Sequence, residues 1–363
     1  MAVIQYRQAL NHALREEMAR DDRVFLIGEE VAEYQGAYKV SEGLLQQFGP
    51  KRVVDTPISE EAIAGTGIGA AMVGLRPVVE MMTVNFAILA MDQIVNHGAK
   101  LRYMSGGQFR IAMVIRAPQG AGMQLGAQHS QNLEAWFVHV PGLKVVAPAT
   151  PYDAKGLLKS AIRDDNPVIF MEHELLYSTK GEVPDEEYLV PIGRADVKRK
   201  GADVTIISYL RMLHLSLAAA KTLAEEGIEA EVIDLRSLRP LDVETLIKSL
   251  QKTHRAVIVE EDWRMCGMGA EVASQLMEHA FDFLDAPVER VTSEDVPMPY
   301  AKKLEQAAIP DESKIIEAVG RVMGRYEDQK AYGLAHEIEA GAISPAMETE
   351  EQEEEEVGRR TEG

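Results

Sequence analysis

The chain has 363 residues, 46% of them apolar, enough for two ordinary domains that each bury a core. Its net charge of -20 sets it against nucleic acid and anionic membrane as partners. One cysteine, Cys266, excludes an internal disulfide framework; no apolar run has the roughly 18 to 20 residues that a bilayer demands, and residues 1–10 lack a basic patch leading into an apolar core, so the expectation is a cytoplasmic chain in a reducing compartment.

Residues 6–19 read as a helix, followed by an apolar strand at 24–27. Strands at 53–55, 78–82, 112–115, 144–146 and 168–171 then alternate with helices at 61–75, 87–103 and 152–163. The strands are apolar on both faces, as buried parallel strands are, so residues 1–180 are expected to form an α/β domain with a mostly parallel sheet. Residues 181–203 carry Gly181, Pro184, Pro191, Gly193 and Gly201 among many charges and read as a linker. A second alternation places strands at 204–208, 231–234, 257–260 and 288–291 and helices at 214–226, 243–251, 268–281 and 315–326. This is a second α/β domain over 204–326. Residues 326–363 hold 12 acids and 3 bases, so 327–363 are expected to be a disordered, solvated tail with some capacity to dock a basic partner.

Gly65-Thr-Gly67-Ile-Gly69 follows a strand and invites a dinucleotide-binding reading. The glycines fall inside the helix rather than at its start, and position 72 is Met. Glycine costs a helix about 1 kcal/mol relative to alanine, so a run of small residues points to close packing instead. Gly267 and Gly269 are expected to open a helix at a tight turn where glycine's free φ is useful. The chain has no Gly-x-x-x-x-Gly-Lys-Ser/Thr loop, no zinc-spaced Cys/His cluster and no Gly-x-Ser-x-Gly elbow.

Asp55-Thr-Pro-Ile-Ser-Glu60 follows a buried strand, and ligands of open α/β sheets bind beyond the carboxyl ends of strands. Residue by residue, Glu60 reads either as a site carboxylate or as an acid satisfied by a helix dipole. His129 lies in a Gly-rich polar loop over 121–131, where a histidine can reach a site or simply face solvent. Phe86 taken by itself reads as ordinary core.

Asp55-Thr-Pro-Ile-Ser-Glu60, Gly126-Ala-Gln-His129-Ser130-Gln131, Pro141-Gly-Leu-Lys-Val-Val-Ala-Pro148, Asn166-Pro167 and Asp295-Val-Pro-Met-Pro-Tyr300 together resemble the beta subunits of thiamine-diphosphate 2-oxo acid dehydrogenases, over roughly residues 4 to 325. The resemblance implies a transketolase-like pyrimidine-binding domain and a transketolase C-terminal-like domain. It implies that Glu60 meets N1′ of the thiamine diphosphate aminopyrimidine, with Ile58 beside it and Phe86 on the ring, and that His129 assists acyl transfer to a lipoyl thiol. It further implies a potassium ion held by Met113, Ala161, Ile162, Asp164 and Asn166, three of them through backbone oxygen. No Gly-Asp-Gly is present to hold Mg²⁺ and diphosphate. The resemblance therefore implies an alpha subunit that supplies them in an α2β2 heterotetramer, working with a lipoyl-bearing dihydrolipoyl acetyltransferase core. Gln128 to Gln131, Trp136 and Met298 to Lys302 resemble the pyruvate branch more than the branched-chain or acetoin branches.

Overall fold

A computed structural model describes residues 1–325; the acidic tail expected over 327–363 lies outside the described residues. In chain order the strands of the first half are β1 (Ala2–Gln5), β2 (Val24–Gly28), β3 (Val53–Asp55), β4 (Arg76–Glu80), β5 (Val114–Gln119), β6 (Lys144–Val146), β7 (Val168–His173) and β8 (Lys180–Val183). Those of the second half are β9 (Asp196–Arg199), β10 (Val204–Ser208), β11 (Ala230–Asp234), β12 (Ser237–Arg239), β13 (Ala256–Trp263) and β14 (Glu289–Ser293).

The first sheet runs β12-β6-β7-β5-β4-β2-β3. Its six strands from the first half are parallel, as their two-sided apolar character requires, and β12 joins antiparallel at the edge. The second sheet runs β14-β13-β10-β11-β9, parallel except for β9. β1 and β8 pair with each other. Residues 181–203 thus contain part of β8 and all of β9. The helix Tyr6–Arg20 packs on the helix Pro151–Arg163 over one face of the first sheet, and the helix Glu60–Met72 covers the other.

Gly67 packs as its run of small residues suggests: a Cβ there would lie 2.5 Å from Val79 and 3.3 Å from Met113. Gly267 and Gly269 do open the helix Met268–Ala280, but for a different reason than turn conformation. The left-handed residue is Cys266, at φ 57°. A Cβ at Gly267 would lie 2.5 Å from the Trp263 carbonyl, and one at Gly269 2.5 Å from a Glu260 carboxylate oxygen. The helix expected over 87–103 starts at Val84 and breaks into short pieces, with a π-helical turn at Gln93–Gly98.

Candidate active site

Four neighbouring parallel strands of the first sheet, in the spatial order β5-β4-β2-β3, each deliver one candidate residue from their carboxyl end. Glu60 follows β3, Glu29 follows β2, Phe86 follows β4 and His129 follows β5. This is where open α/β sheets bind ligands, because loops diverge there and leave a crevice.

Glu60 opens the helix Glu60–Met72 and is 6% exposed, while Ile58, two residues earlier, is 81% exposed. A buried acid beside a bare apolar side chain is the arrangement of a site completed from outside. Asp55 accepts from the N–H groups of Ala32 (2.6 Å) and Glu33 (3.1 Å), which fixes the loop after β2 against the loop after β3. That loop carries Glu29, which sequence reasoning missed. Glu29 is buried, and its Oε1 has no partner among the described residues. Burial, and next the charge of Glu60, push its carboxyl above the usual range. Gly28 permits the turn: a Cβ there would lie 2.6 Å from the Glu80 carbonyl.

Phe86 and His129 meet edge to face, with ring centroids 5.2 Å apart and planes at 82°. Phe86 is half-buried and the His129 loop is exposed at residues 127–129. The loop closes at its base, where Gly120 N–H donates to the Gln131 carbonyl (3.4 Å). Asn85 fastens it to the Phe86 segment: its Oδ1 accepts from Gln131 N (3.2 Å) and Nε2 (3.1 Å). Ser130, beside His129, has a buried hydroxyl without a partner among the described residues. Orphaned polar atoms at Glu29 and Ser130, a buried acid at Glu60 and an apolar surface at Ile58 fit the aminopyrimidine end of thiamine diphosphate.

Beneath the loops lies a buried ion cluster. Arg116 is 1% exposed and donates to Glu172 Oε1 (2.7 Å) and Oε2 (2.8 Å), and also to Glu80. The Tyr177 hydroxyl donates to Glu172 (2.7 Å), and Tyr38, from the Glu29 loop, stacks on Tyr177 at 4.6 Å. The cluster therefore braces the loop that bears Glu29.

A second acidic group joins the two halves. Glu134 accepts from Gln119 Nε2 (2.6 Å) and from the Tyr209 hydroxyl (2.7 Å). Glu260 pairs with Arg290 (2.9 Å) and accepts from Gly269 N–H (2.6 Å). Burial, then the charges of Glu134 and Glu260, push Asp262 up to about 9; burial pushes Glu260 up to about 6. A carboxyl raised this way keeps its proton in the folded chain and loses it in the unfolded chain, so it withdraws stability as pH rises from about 4 to about 9. The Tm advantage of Asp262→Asn over the parent should accordingly grow from about pH 5 to about pH 8.5, and a pH-independent difference would reject this account.

The residues expected to hold potassium lie at the opposite end of the sheet. Met113 immediately precedes β5; Ala161 and Ile162 lie in the last turn of the helix Pro151–Arg163, and Asp164 and Asn166 in the turn between it and β7. Arg76 Nη1 donates to the carbonyls of Ile162 (2.9 Å) and Asp164 (3.0 Å). Arg102 donates to Asn166 Oδ1 (2.7 Å), and the Asp164 carboxylate is taken by Lys144 and by Asn166 N–H (2.9 Å). The side-chain oxygens are thus engaged. A cation fits here only through backbone carbonyls, each of which retains a lone pair.

Comparison with known proteins bears on the family of the chain as a whole. Residues 2–180 match the transketolase pyrimidine binding domain family and residues 193–315 the transketolase C-terminal domain family. The chain is 56% identical over 319 residues to the pyruvate dehydrogenase E1 component subunit beta of Rickettsia felis, spanning 88% of this chain and 98% of that one. It is 54% identical over 326 residues to the mitochondrial subunit of the same description from Dictyostelium discoideum, spanning 89% and 92%. A solved split gene transketolase, an inactive beta4 tetramer, superimposes with a TM-score of 0.74 at 27% identity, over 88% of this chain and 98% of that one. With both transketolase domains matched in order, and 56% identity to a relative over 98% of that relative's length, the chain belongs to the family of pyruvate dehydrogenase E1 component beta subunits.

Proposed function

We propose that this chain is the half of a pyruvate dehydrogenase (acetyl-transferring) that holds the aminopyrimidine end of thiamine diphosphate, active only with an alpha subunit in an α2β2 heterotetramer. The observation that carries the reading is the buried Glu60 carboxyl two residues from the exposed Ile58, with Glu29, Phe86 and His129 following the carboxyl ends of the neighbouring strands. When bound, thiamine diphosphate supplies the carbon nucleophile and electron sink for decarboxylating pyruvate. Glu60 holds and exchanges a proton at N1′, and its burial keeps water from competing for that exchange. Glu29, whose carboxyl is raised by burial and by Glu60, is suited to keep a proton close to it. Phe86 offers a flat face to the ring. His129, on an exposed loop, donates a proton or holds charge as the acyl group passes to the lipoyl arm of the acetyltransferase core.

Mg²⁺ and the diphosphate fall mainly to the alpha subunit, since the sequence carries no Gly-Asp-Gly. Exposed apolar side chains at Val73 (79%), Leu89 (63%), Tyr103 (90%) and Met104 (72%) support a partner surface. The reading includes a structural potassium ion at Met113, Ala161, Ile162, Asp164 and Asn166. It places the protein in the cytoplasm, in keeping with its exposed free thiol at Cys266. Among the described residues, no helix is long and apolar enough to cross a membrane.

Turnover of the co-purified αβ complex with pyruvate, against 2-oxoisovalerate, tests the substrate, and preference for 2-oxoisovalerate would overturn it. For His129→Ala, reductive acylation of a lipoyl domain should fall about 10²-fold, while decarboxylation read with an artificial oxidant falls less than about threefold. Equal losses in the two assays would remove His129 from the acyl-transfer step.

A further inference from the structure

We infer that Glu305, from the second half of the chain, is a positioning residue that holds the His129 loop in its working shape; the inference rests on the role of His129 proposed above. Glu305 lies in the helix Lys302–Ala308 and is 1% exposed. Its Oε1 accepts from the N–H groups of Gly122 (2.9 Å) and Gln124 (3.0 Å). Two amides converge on one oxygen because Gly122 and Gln124 both adopt positive φ, 106° and 58°. Such turns form a concave donor pair suited to an anion, and here the anion is supplied by the protein's own second half. Charge-assisted bonds of this kind are about twice as strong as neutral ones.

The surroundings reinforce the contact. Ala121 packs with Met298, Ala308 and Ile309 in a small apolar cluster that shields the carboxylate. Ala121 N–H donates to Glu261 Oε1 (2.7 Å), while Glu261 Oε2 faces His173 Nε2 at 2.9 Å. Leu175 N–H donates to His173 Nδ1 (3.1 Å), which leaves Nε2 as the donor to Glu261. Burial would raise the Glu261 carboxyl, but His173, then Arg211 and the Ala121 N–H, hold it down at about 2. The second half therefore grips the loop at residues 121, 122 and 124, and Asn85 grips it again at 131. His129 lies on the exposed arc between these anchors. Glu261 has several other duties, but both side-chain hydrogen bonds of Glu305 among the described residues go to this loop, so Glu305 can be altered with the least collateral effect.

The test uses the assembled αβ complex. Glu305→Ala should raise amide hydrogen exchange across residues 121–131 about tenfold and lower reductive acylation about tenfold, with artificial-oxidant decarboxylation held within about twofold. Glu305→Gln, whose amide oxygen still accepts both bonds, should restore exchange and acylation to within about threefold of the parent. Should Glu305→Ala fail to assemble, Glu305→Asp, one methylene short, is read in the same way. Unchanged exchange in the variant overturns the clamp whatever His129 does. Faster exchange with both activities falling together, or with neither falling, overturns the positioning role. If His129→Ala itself leaves acylation intact, the proposed role of His129 fails and the link to catalysis fails with it, while exchange still decides whether Glu305 holds the loop.

Discussion

Replacing Glu60 by Gln is expected to lower pyruvate turnover by the assembled complex by about 10²- to 10⁴-fold, the range lost when a positioned proton-transfer group is removed. Gln keeps the size and one acceptor oxygen of the side chain but cannot exchange a proton. Its burial should hold the amide where the carboxylate lies, so assembly with the alpha subunit and binding of thiamine diphosphate should change little. Turnover within about threefold of the parent, with cofactor bound, would remove Glu60 from the chemistry. Failure to assemble would instead make Glu60 structural. Glu29 sharpens the comparison, because part of its upward shift comes from the charge at position 60. That part should vanish in the variant and draw Glu29 back toward an ordinary carboxylate.

The largest stability effect is expected at Arg116. Replacing it by Met leaves Glu80 and Glu172 buried without their cation, and breaking one side of a buried ion cluster costs about 3–5 kcal/mol. Burial already pushes the Glu80 carboxyl upward even with Arg116 present. Without the guanidinium, Glu80 should take up a proton still more readily. Its folded-state value then lies further above the unfolded one, and the variant's deficit should shrink as pH falls toward 5 and widen toward 8. Apparent unfolding free energies from urea titration at these two values decide the matter, and a loss below about 1 kcal/mol would mean the cluster is near neutral. The Glu29 loop leans on this cluster through Tyr38, so weaker cofactor binding should accompany the loss.

The alternation of strands and helices was legible because parallel strands buried on both faces leave continuous apolar runs, as at 168–171. Where a strand carries buried charge, the run is interrupted and the strand looks shorter. β5 continues past Ile115 through Arg116-Ala-Pro-Gln119, and β13 past Glu260 through Glu261, Asp262 and Trp263. Arg116 meets Glu80 and Glu172, and Glu261 meets His173, all on other strands, which a one-dimensional pattern cannot reveal. β12 escaped notice for the same reason: three residues acquire meaning only from the edge they join. Glu60 and His129 were readable because they stand in compact motifs. Glu29 had a usable signal, since the rule that drew attention to the end of β3 applies equally to Gly28-Glu29 at the end of β2. Glu305 had none, because its importance comes from a loop far away in sequence.

The short strand β12 reaches out of the second half to pair with β6 at the flank of the first sheet, and the Ala147 N–H meets the Arg236 carbonyl (2.7 Å) beside it. A ribosome must therefore have passed residue 239 before that flank can close. Until then the nascent sheet shows a raw row of amides and carbonyls on which a foreign strand could add. Synthesis of this protein thus contains an interval in which its earlier half waits, unfinished, on its later one.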